Sequence, residues 1–139
     1  MILSETERQA LHHKHVEMKN KGHTANDEGC MTFEEYRQSV LSTSVLQTSE
    51  QQRLYGILNI AGEAGEITSK YAKAVRDDLD ITTDEFKKEV AKEIGDVLWS
   101  MAILAESLGY TLEQIAVMNA GKTASRSERG VVAGSGDNR

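Results

Sequence analysis

Two pairs of acidic residues constrain the fold of this chain because each pair has the spacing of about one helical turn. Glu63 and Glu66 are three residues apart, as are Glu93 and Asp96, and both pairs lie among residues that favour helices. Carboxylates three positions apart share one face of an α-helix. Each pair is therefore predicted to present two carboxylates side by side on a helix surface.

The polar stretch between the two pairs predicts a loop. Residues 77–85 are rich in the residue types that form turns and helix caps. Glu63 and Asp96 are equally far from the midpoint between the two pairs, and so are Glu66 and Glu93. In an antiparallel hairpin with equal rise per residue, the members of each matched pair lie level. The pattern predicts a helical hairpin with four carboxylates at one height.

Four carboxylates that converge between helices repel one another, and burial increases the repulsion unless a cation neutralises them. Oxygen ligands alone favour a hard ion, Mg²⁺ or Mn²⁺. Solvated charge on an amphipathic helix is the ordinary explanation of either pair by itself. The symmetry of both pairs about one predicted turn favours a metal site.

Composition favours a single all-α domain. The chain has 139 residues, of which 39% are hydrophobic and only 5% aromatic, and it contains no proline. This length accommodates one domain with a modest core, and the composition favours helices over strands. A net charge of −6 argues against a broad electrostatic surface for a nucleic acid polymer.

Three absences in the sequence favour a cytoplasmic protein. Cys30 is the only cysteine, which excludes an internal disulfide. The longest apolar run, residues 97–108, contains polar residues and is too short to span a bilayer. The N-terminus lacks the pattern of a signal peptide. We therefore expect a cytoplasmic location and no membrane contact.

Capping residues predict where the helices begin. The predicted starts are Thr32, Thr48 or Ser49, Thr82 or Thr83, and Thr111. Gly109 is predicted to end the helix that carries the second acidic pair. Residues 1–30 are expected to be an extension with a short helix and a linker, in which the histidines are solvated. The expected fold is all-α, a four- to five-helix bundle with a central antiparallel helical hairpin carrying the metal site.

Apolar residues at helical spacing predict a core face on each helix. The predicted inward positions include Leu54, Ile57, Leu58, Ala61, Ala64, Ile67, Tyr71, Ala74, Val90, Ile94, Met101, Leu112, Ile115 and Met118. Gly62 and Gly65 each lower helix propensity by about 1 kcal/mol, which suggests close helix packing or space beside a ligand. Trp99 lies off the main apolar stripe and is expected to pack against a neighbouring helix or subunit. Contact with a base is the alternative.

The last predicted helix carries the best candidates for phosphate contacts. Asn119, Lys122 and Arg126 recur at steps of three and four, so they share one face. Cations near a helix C-terminus commonly complement the helix dipole. Because these residues follow the acidic hairpin, they are also placed to bind the phosphates of a ligand.

These motifs resemble those of a known family. The chain from about Thr32 to Arg129 is similar to the MazG-like members of the all-α nucleoside triphosphate pyrophosphohydrolases. The matching residues are Gly62-Glu63-Ala64-Gly65-Glu66, Glu93-Ile94-Gly95-Asp96-Val97-Leu98-Trp99, the helix end Leu108-Gly109, and Asn119, Lys122 and Arg126. The resemblance implies a domain over residues 31–129. One departure is Gly62, where many members have a second glutamate.

The resemblance implies a metal-dependent hydrolase. Glu63, Glu66, Glu93 and Asp96 would bind Mg²⁺, with Mn²⁺ as a substitute, and a nucleoside triphosphate would be cleaved to its monophosphate and pyrophosphate. Glu63 or Glu66 would accept the proton of the attacking water. The family also implies a homodimer or a tetramer built from dimers, often with the site at a subunit interface.

The C-terminal segment is a candidate substrate lid. Residues 130–139 are rich in glycine and end in Gly-Ser-Gly-Asp-Asn-Arg, which resembles the ending of one MazG-like subgroup. Backbone N–H groups and the guanidinium of Arg139 could bind phosphate if this segment folds over the site.

The sequence is also compatible with two other functions. A helical dimeric adaptor without catalysis would carry the acidic pairs as surface charge. A related pyrophosphatase with one preferred substrate, such as dUTP or phosphoribosyl-ATP, would share the same metal chemistry. The sequence does not distinguish the base or the sugar of the substrate.

Overall fold

Residues 31–131, together with Ser4, Thr6, Gln9 and Ala10, are described by a computed structural model of the chain. The helices of residues 31–131 are α1 (Phe33–Thr43), α2 (Ser49–Arg76), α3 (Asp84–Ser107) and α4 (Leu112–Glu128). This part of the chain contains no strand, so the predicted all-α class is confirmed. None of the helices described is both long enough and apolar enough to cross a membrane.

Threonine side chains begin all four helices, as predicted. The hydroxyl oxygens of Thr32, Thr48, Thr83 and Thr111 each accept the N–H of the third following residue. In α1, α2 and α4 a Glu or Gln side chain returns the hydrogen bond to the capping residue's N–H. Such a cap contributes about 1 kcal/mol of stability. Of the two threonines predicted for α3, Thr83 is the cap.

The end of α3 also follows the sequence prediction. Leu108 caps the helix, and Gly109 follows with φ at 78°, in the left-handed region that favours glycine. The N–H of Tyr110 then donates to the carbonyl of Ala105 and closes the turn. This reversal allows α4 to begin at Leu112.

The helices α2 and α3 form the predicted antiparallel hairpin. Asn59 contacts Ser100 near the middle of the pair, and the rings of Tyr71 and Phe86 meet edge to face near the loop, 5.2 Å apart. Each contact joins residues almost equally far from the centre of the loop. The register derived from the acidic pairs is therefore the register of the helix packing.

A small apolar cluster joins α1 to α3. Val40 and Leu41 of α1 are buried against Ala102 and Ile103 of α3. Trp99 is partly buried against this cluster, and its indole N–H points to the Thr43 hydroxyl with a nitrogen-to-oxygen distance of 3.4 Å. The expectation that Trp99 packs against a neighbouring helix is confirmed.

An ion-pair network connects the same two helices. The Arg37 guanidinium lies 2.8 Å from a carboxylate oxygen of Glu34 and 2.8 Å from one of Glu106. The hydrogen bonds that Arg37 donates to Glu34 and, to a smaller extent, to Glu106 raise the pKa of Arg37 despite partial burial. The pair between Arg37 and Glu106 fixes α1 across α3.

Several apolar residues that were predicted to face the core are exposed in the single chain. Ala74 and Val90 are buried as expected, but the apolar residues exposed in this structure include Leu54, Ile57, Leu58, Tyr71, Ile94, Met101, Ile115 and Met118. The reason is that small and polar residues occupy the contact between the hairpin helices. Buried Gly56 and Gln52 of α2 and Ser100 of α3 lie at positions that the apolar pattern does not predict.

The close approach of α2 and α3 occurs at Gly56, not at Gly62 or Gly65. A Cβ atom added at Gly56 would lie 2.9 Å from the Cβ of Leu104 and 3.2 Å from its Cα. Added Cβ atoms at Gly62 and Gly65 would meet nothing within 4 Å. Within this chain those two glycines therefore do not serve close helix packing.

We expect Gly56→Ala to destabilise the protein by about 1–2 kcal/mol, because the added methyl group overlaps atoms next to the α3 backbone. Gly65→Ala is the matched control in the same helix and should stabilise by about 0.5–1 kcal/mol through helix propensity. Urea denaturation measures both free energies of unfolding. If Gly56→Ala were as stable as Gly65→Ala, the result would contradict a tight contact between α2 and α3 at Gly56.

Candidate active site

Three of the four predicted metal ligands converge between α2 and α3. Glu63 comes from α2, and Glu93 and Asp96 come from α3. One carboxylate oxygen from each lies within 4.8 Å of the other two. Glu63 and Glu93 are half-buried, and Asp96 is exposed. We call these three residues the acidic cluster.

Glu66, the fourth predicted ligand, lies outside the acidic cluster. It is exposed on α2, three residues after Glu63. Its predicted role as a ligand therefore stays a prediction. Its side chain is open to water, about one helical turn along α2 from Glu63.

Hydrogen bonds across α2 and α3 position the Glu63 carboxylate and the backbone at Asp96. The Asn59 side-chain amide donates to a Glu63 carboxylate oxygen at 3.1 Å and to the Ser100 hydroxyl at 2.9 Å. Ser100 is fully buried and donates in turn to the backbone carbonyl of Asp96 at 3.0 Å. An amide has two N–H groups, so Asn59 satisfies both acceptors at once.

Asn59 and Ser100 were missed by sequence reasoning. The signal was present in their spacing, because Asn59 precedes Glu63 by four residues and Ser100 follows Asp96 by four. Residues four apart share a helix face. Both lie equally far from the centre of the hairpin, as the acidic pairs do.

Lys70 is a further residue that sequence reasoning missed. Its ammonium nitrogen lies 3.2 Å from an oxygen of Glu93 and 3.5 Å from an oxygen of Glu89. The hydrogen bond with Glu93 raises the pKa of Lys70 above its ordinary value, so this side chain carries a positive charge at neutral pH. Lys70 and Glu89 are also equally far from the centre of the hairpin.

Tyr36 of α1 contacts α3 at Gly95, the residue before Asp96. Its hydroxyl donates to the carbonyl of Gly95 across 3.5 Å. Burial raises the pKa of Tyr36, and the negative charge of Asp96 adds to the shift. The phenol therefore stays protonated beside the acidic cluster at neutral pH.

A pocket of about 260 Å³ opens beside the acidic cluster. Its lining residues are Tyr55, Asn59, Glu63, Asp96 and Trp99. The Tyr55 and Trp99 rings meet edge to face with centroids 6.0 Å apart. The pocket thus combines carboxylates with aromatic surface. A larger pocket of about 440 Å³ lies toward the hairpin loop, around Phe86, and does not include the acidic cluster.

The predicted phosphate-binding residues lie on a separate helix. Asn119 and Lys122 are exposed on α4, and Arg126 is half-buried there. α4 packs against α1 and α3 but does not contact α2, the helix that carries Glu63. Arg139 lies outside the described residues, as does most of the candidate lid.

Comparison with known proteins identifies the domain. Residues 51–131 match the family model described as the MazG nucleotide pyrophosphohydrolase domain. The chain belongs to this family. It is also similar to the Gene 37 protein of Mycobacterium phage L5, with 42% identity over 85 residues that cover 61% of this chain and 75% of that protein. No solved structure gives a significant match.

The MazG match contains every member of the acidic cluster. It begins within α2 and ends just after α4, so α1 lies before it. α1 nevertheless supplies Val40 and Leu41 to the apolar cluster with α3. The packed domain of this MazG protein therefore extends beyond the matched residues and includes α1.

The acidic cluster fits a hard divalent ion. Its donors are all carboxylate oxygens, which Mg²⁺ and Mn²⁺ prefer. Among the residues that the structure describes, no lysine or arginine forms an ion pair with Glu63 or Asp96, whereas Glu93 pairs with Lys70. Two converging negative charges thus lack a cationic side chain, and a bound metal would neutralise them.

Proposed function

We propose that this MazG protein hydrolyses nucleoside or deoxynucleoside triphosphates to the monophosphate and pyrophosphate, and that the reaction requires Mg²⁺, for which Mn²⁺ can substitute. The observation that carries the proposal is the convergence of Glu63, Glu93 and Asp96 within a MazG domain. These residues would hold the ion. The ion would neutralise phosphate charge and lower the pKa of an attacking water.

The reaction requires a base for the attacking water. As the water oxygen bonds to the α-phosphorus, the bond to the α–β bridging oxygen breaks, and pyrophosphate leaves. Glu63 and Glu66 are the candidate catalytic bases. Glu66 suits this role better because it is exposed and lies outside the acidic cluster, which leaves its oxygens available to accept a proton.

The pocket beside the acidic cluster suits a nucleotide. Trp99 and Tyr55 offer aromatic surface against which a base can pack, and Asn59 offers its amide oxygen, since both of its N–H groups are used by Glu63 and Ser100. The carboxylates lie in the same pocket, so a metal-bound triphosphate and its nucleoside would occupy adjoining volumes. We assign the phosphate contacts to Asn119, Lys122 and Arg126, with Arg139 of the candidate lid.

We also propose that the protein acts as a homodimer, or as a tetramer of such dimers. Leu54, Ile57 and Leu58 share a face of α2, and Leu58 is 72% exposed. On α4, which has no buried residue, Val117 is 67% exposed. Exposed apolar surface on this scale is typical of an interface. A second copy would cover it and could bring the cations of its α4 toward the acidic cluster.

Activity tests the proposed reaction. We expect pyrophosphate release from at least one common ribo- or deoxyribonucleoside triphosphate in the presence of Mg²⁺. Glu63→Gln and Asp96→Asn should each lower kcat/KM by about 100-fold or more, because each removes a proposed metal ligand. The substrate panel, extended to dUTP and phosphoribosyl-ATP, measures the base and sugar preference.

Asp78→Asn is the matched control for Asp96→Asn. It removes the same charge from the exposed hairpin loop, where φ is 51°, a conformation that asparagine tolerates. Its activity should stay within about twofold of the wild type, and thermal melts should show that all variants fold. Equal activity in Asp96→Asn and Asp78→Asn, or release of orthophosphate in place of pyrophosphate, would contradict the proposal.

The oligomer proposal has its own test. We expect the wild type to be a dimer or a tetramer by size-exclusion chromatography with light scattering. Leu58→Glu should shift it to monomer, because the substitution places a charge on the proposed interface. Val75→Glu is the control, since Val75 is exposed near the C-terminal end of α2, about 25 Å along the helix from Leu58. A monomeric wild type, or an unchanged Leu58→Glu oligomer, would refute the interface.

A further inference from the structure

We propose that the positively charged side chain of Lys70 forms an ion pair with Glu93 and thereby weakens the affinity of the acidic cluster for a divalent ion. This inference rests on the metal site of the proposed function and goes beyond it. Under this proposal, Lys70 lowers the affinity of the site for a metal ion in the absence of nucleotide. Lys70 is a positioning residue here, because it acts through Glu93 and not on the substrate.

The contacts of Lys70 place its charge at the edge of the acidic cluster. The ammonium nitrogen is 3.2 Å from Glu93, one of the three converging carboxylates. Only 25% of the Lys70 side chain is exposed, so most of its surface is covered by neighbouring residues. The lysine therefore occupies a defined position beside Glu93.

The second carboxylate near Lys70 has another cation available. Glu89 lies 3.5 Å from Lys70 but also forms an ion pair with Lys92, which is three residues along α3. Since Lys92 compensates the charge of Glu89, the charge of Lys70 is left to act on Glu93. The shorter of the two Lys70 contacts is the one to Glu93.

The positive charge of Lys70 determines whether its removal strengthens or weakens metal binding. Glu63, Glu93 and Asp96 have a combined formal charge of −3. With the positive charge of Lys70 the total is −2, which one divalent ion neutralises. A positive charge beside a ligand repels an incoming cation, and it also engages an oxygen of Glu93. Glu93 lies on the long helix α3, which holds its backbone in place without the lysine. Removing Lys70 should therefore strengthen metal binding.

Titration of the full-length protein with Mn²⁺, followed by electron paramagnetic resonance without nucleotide, tests this inference. We expect Lys70→Met to bind Mn²⁺ about five- to tenfold more tightly than the wild type at low ionic strength. Lys70→Gln should show the same increase in Mn²⁺ affinity, so the test does not depend on the folding of one variant. Lys70→Arg keeps the charge and should stay within about twofold of the wild type.

Lys73→Met controls for net charge. Lys73 is exposed on the same helix and is in no ion pair within the described part of the chain. Its removal should change the Mn²⁺ dissociation constant by less than about twofold. If Lys70→Met and Lys73→Met bind Mn²⁺ equally, or if Lys70→Met binds it no more tightly than the wild type, the inference is overturned.

Glu63→Gln separates failure of this inference from failure of the metal site. Mn²⁺ binding that Glu63→Gln abolishes and Lys70→Met does not strengthen would refute the role of Lys70 alone. Absence of Mn²⁺ binding in both the wild type and Lys70→Met would refute the metal site of the proposed function, and the role of Lys70 with it.

Discussion

The antiparallel packing of α2 against α3 is the constraint on which the site depends. Gly56 allows the two helices to approach at Leu104, and Asn59 bonds to the buried hydroxyl of Ser100 at the next level. These small and polar contacts set the register of the hairpin. The acidic cluster follows directly, because Glu63 lies one helical turn beyond Asn59 and Asp96 one turn before Ser100. A shift by one residue would rotate these carboxylates away from one another.

The same packing creates an electrostatic problem at the site. Carboxylates from two helices lie with oxygens within 4.8 Å of one another. Asn59 donates one hydrogen bond to Glu63, and Lys70 offers one positive charge to Glu93. These partners reduce the repulsion without removing it. A divalent ion would complete the neutralisation, which gives a physical reason for a metal in a protein of the MazG family.

Sequence reasoning predicted the local features and the hairpin register. Threonine caps, the stop at Gly109 and the symmetry of the acidic pairs depend on residues close in sequence or on one loop. Periodicity could not show which apolar face is buried within the chain, so Leu58 was wrongly assigned to the core. The roles of Asn59 and Lys70 require contacts across two helices, which spacing alone suggests but does not establish. Spacing likewise could not show that Glu66 is exposed and lies outside the acidic cluster.

Anomalous scattering at the manganese edge, from a crystal of the 139-residue chain grown with Mn²⁺, tests the metal site most directly. We expect a peak between α2 and α3, about 2.0–2.4 Å from carboxylate oxygens of Glu63, Glu93 and Asp96. A well-ordered acidic cluster without a peak, or manganese bound only elsewhere, would contradict the claim that the hairpin is built to hold a divalent ion.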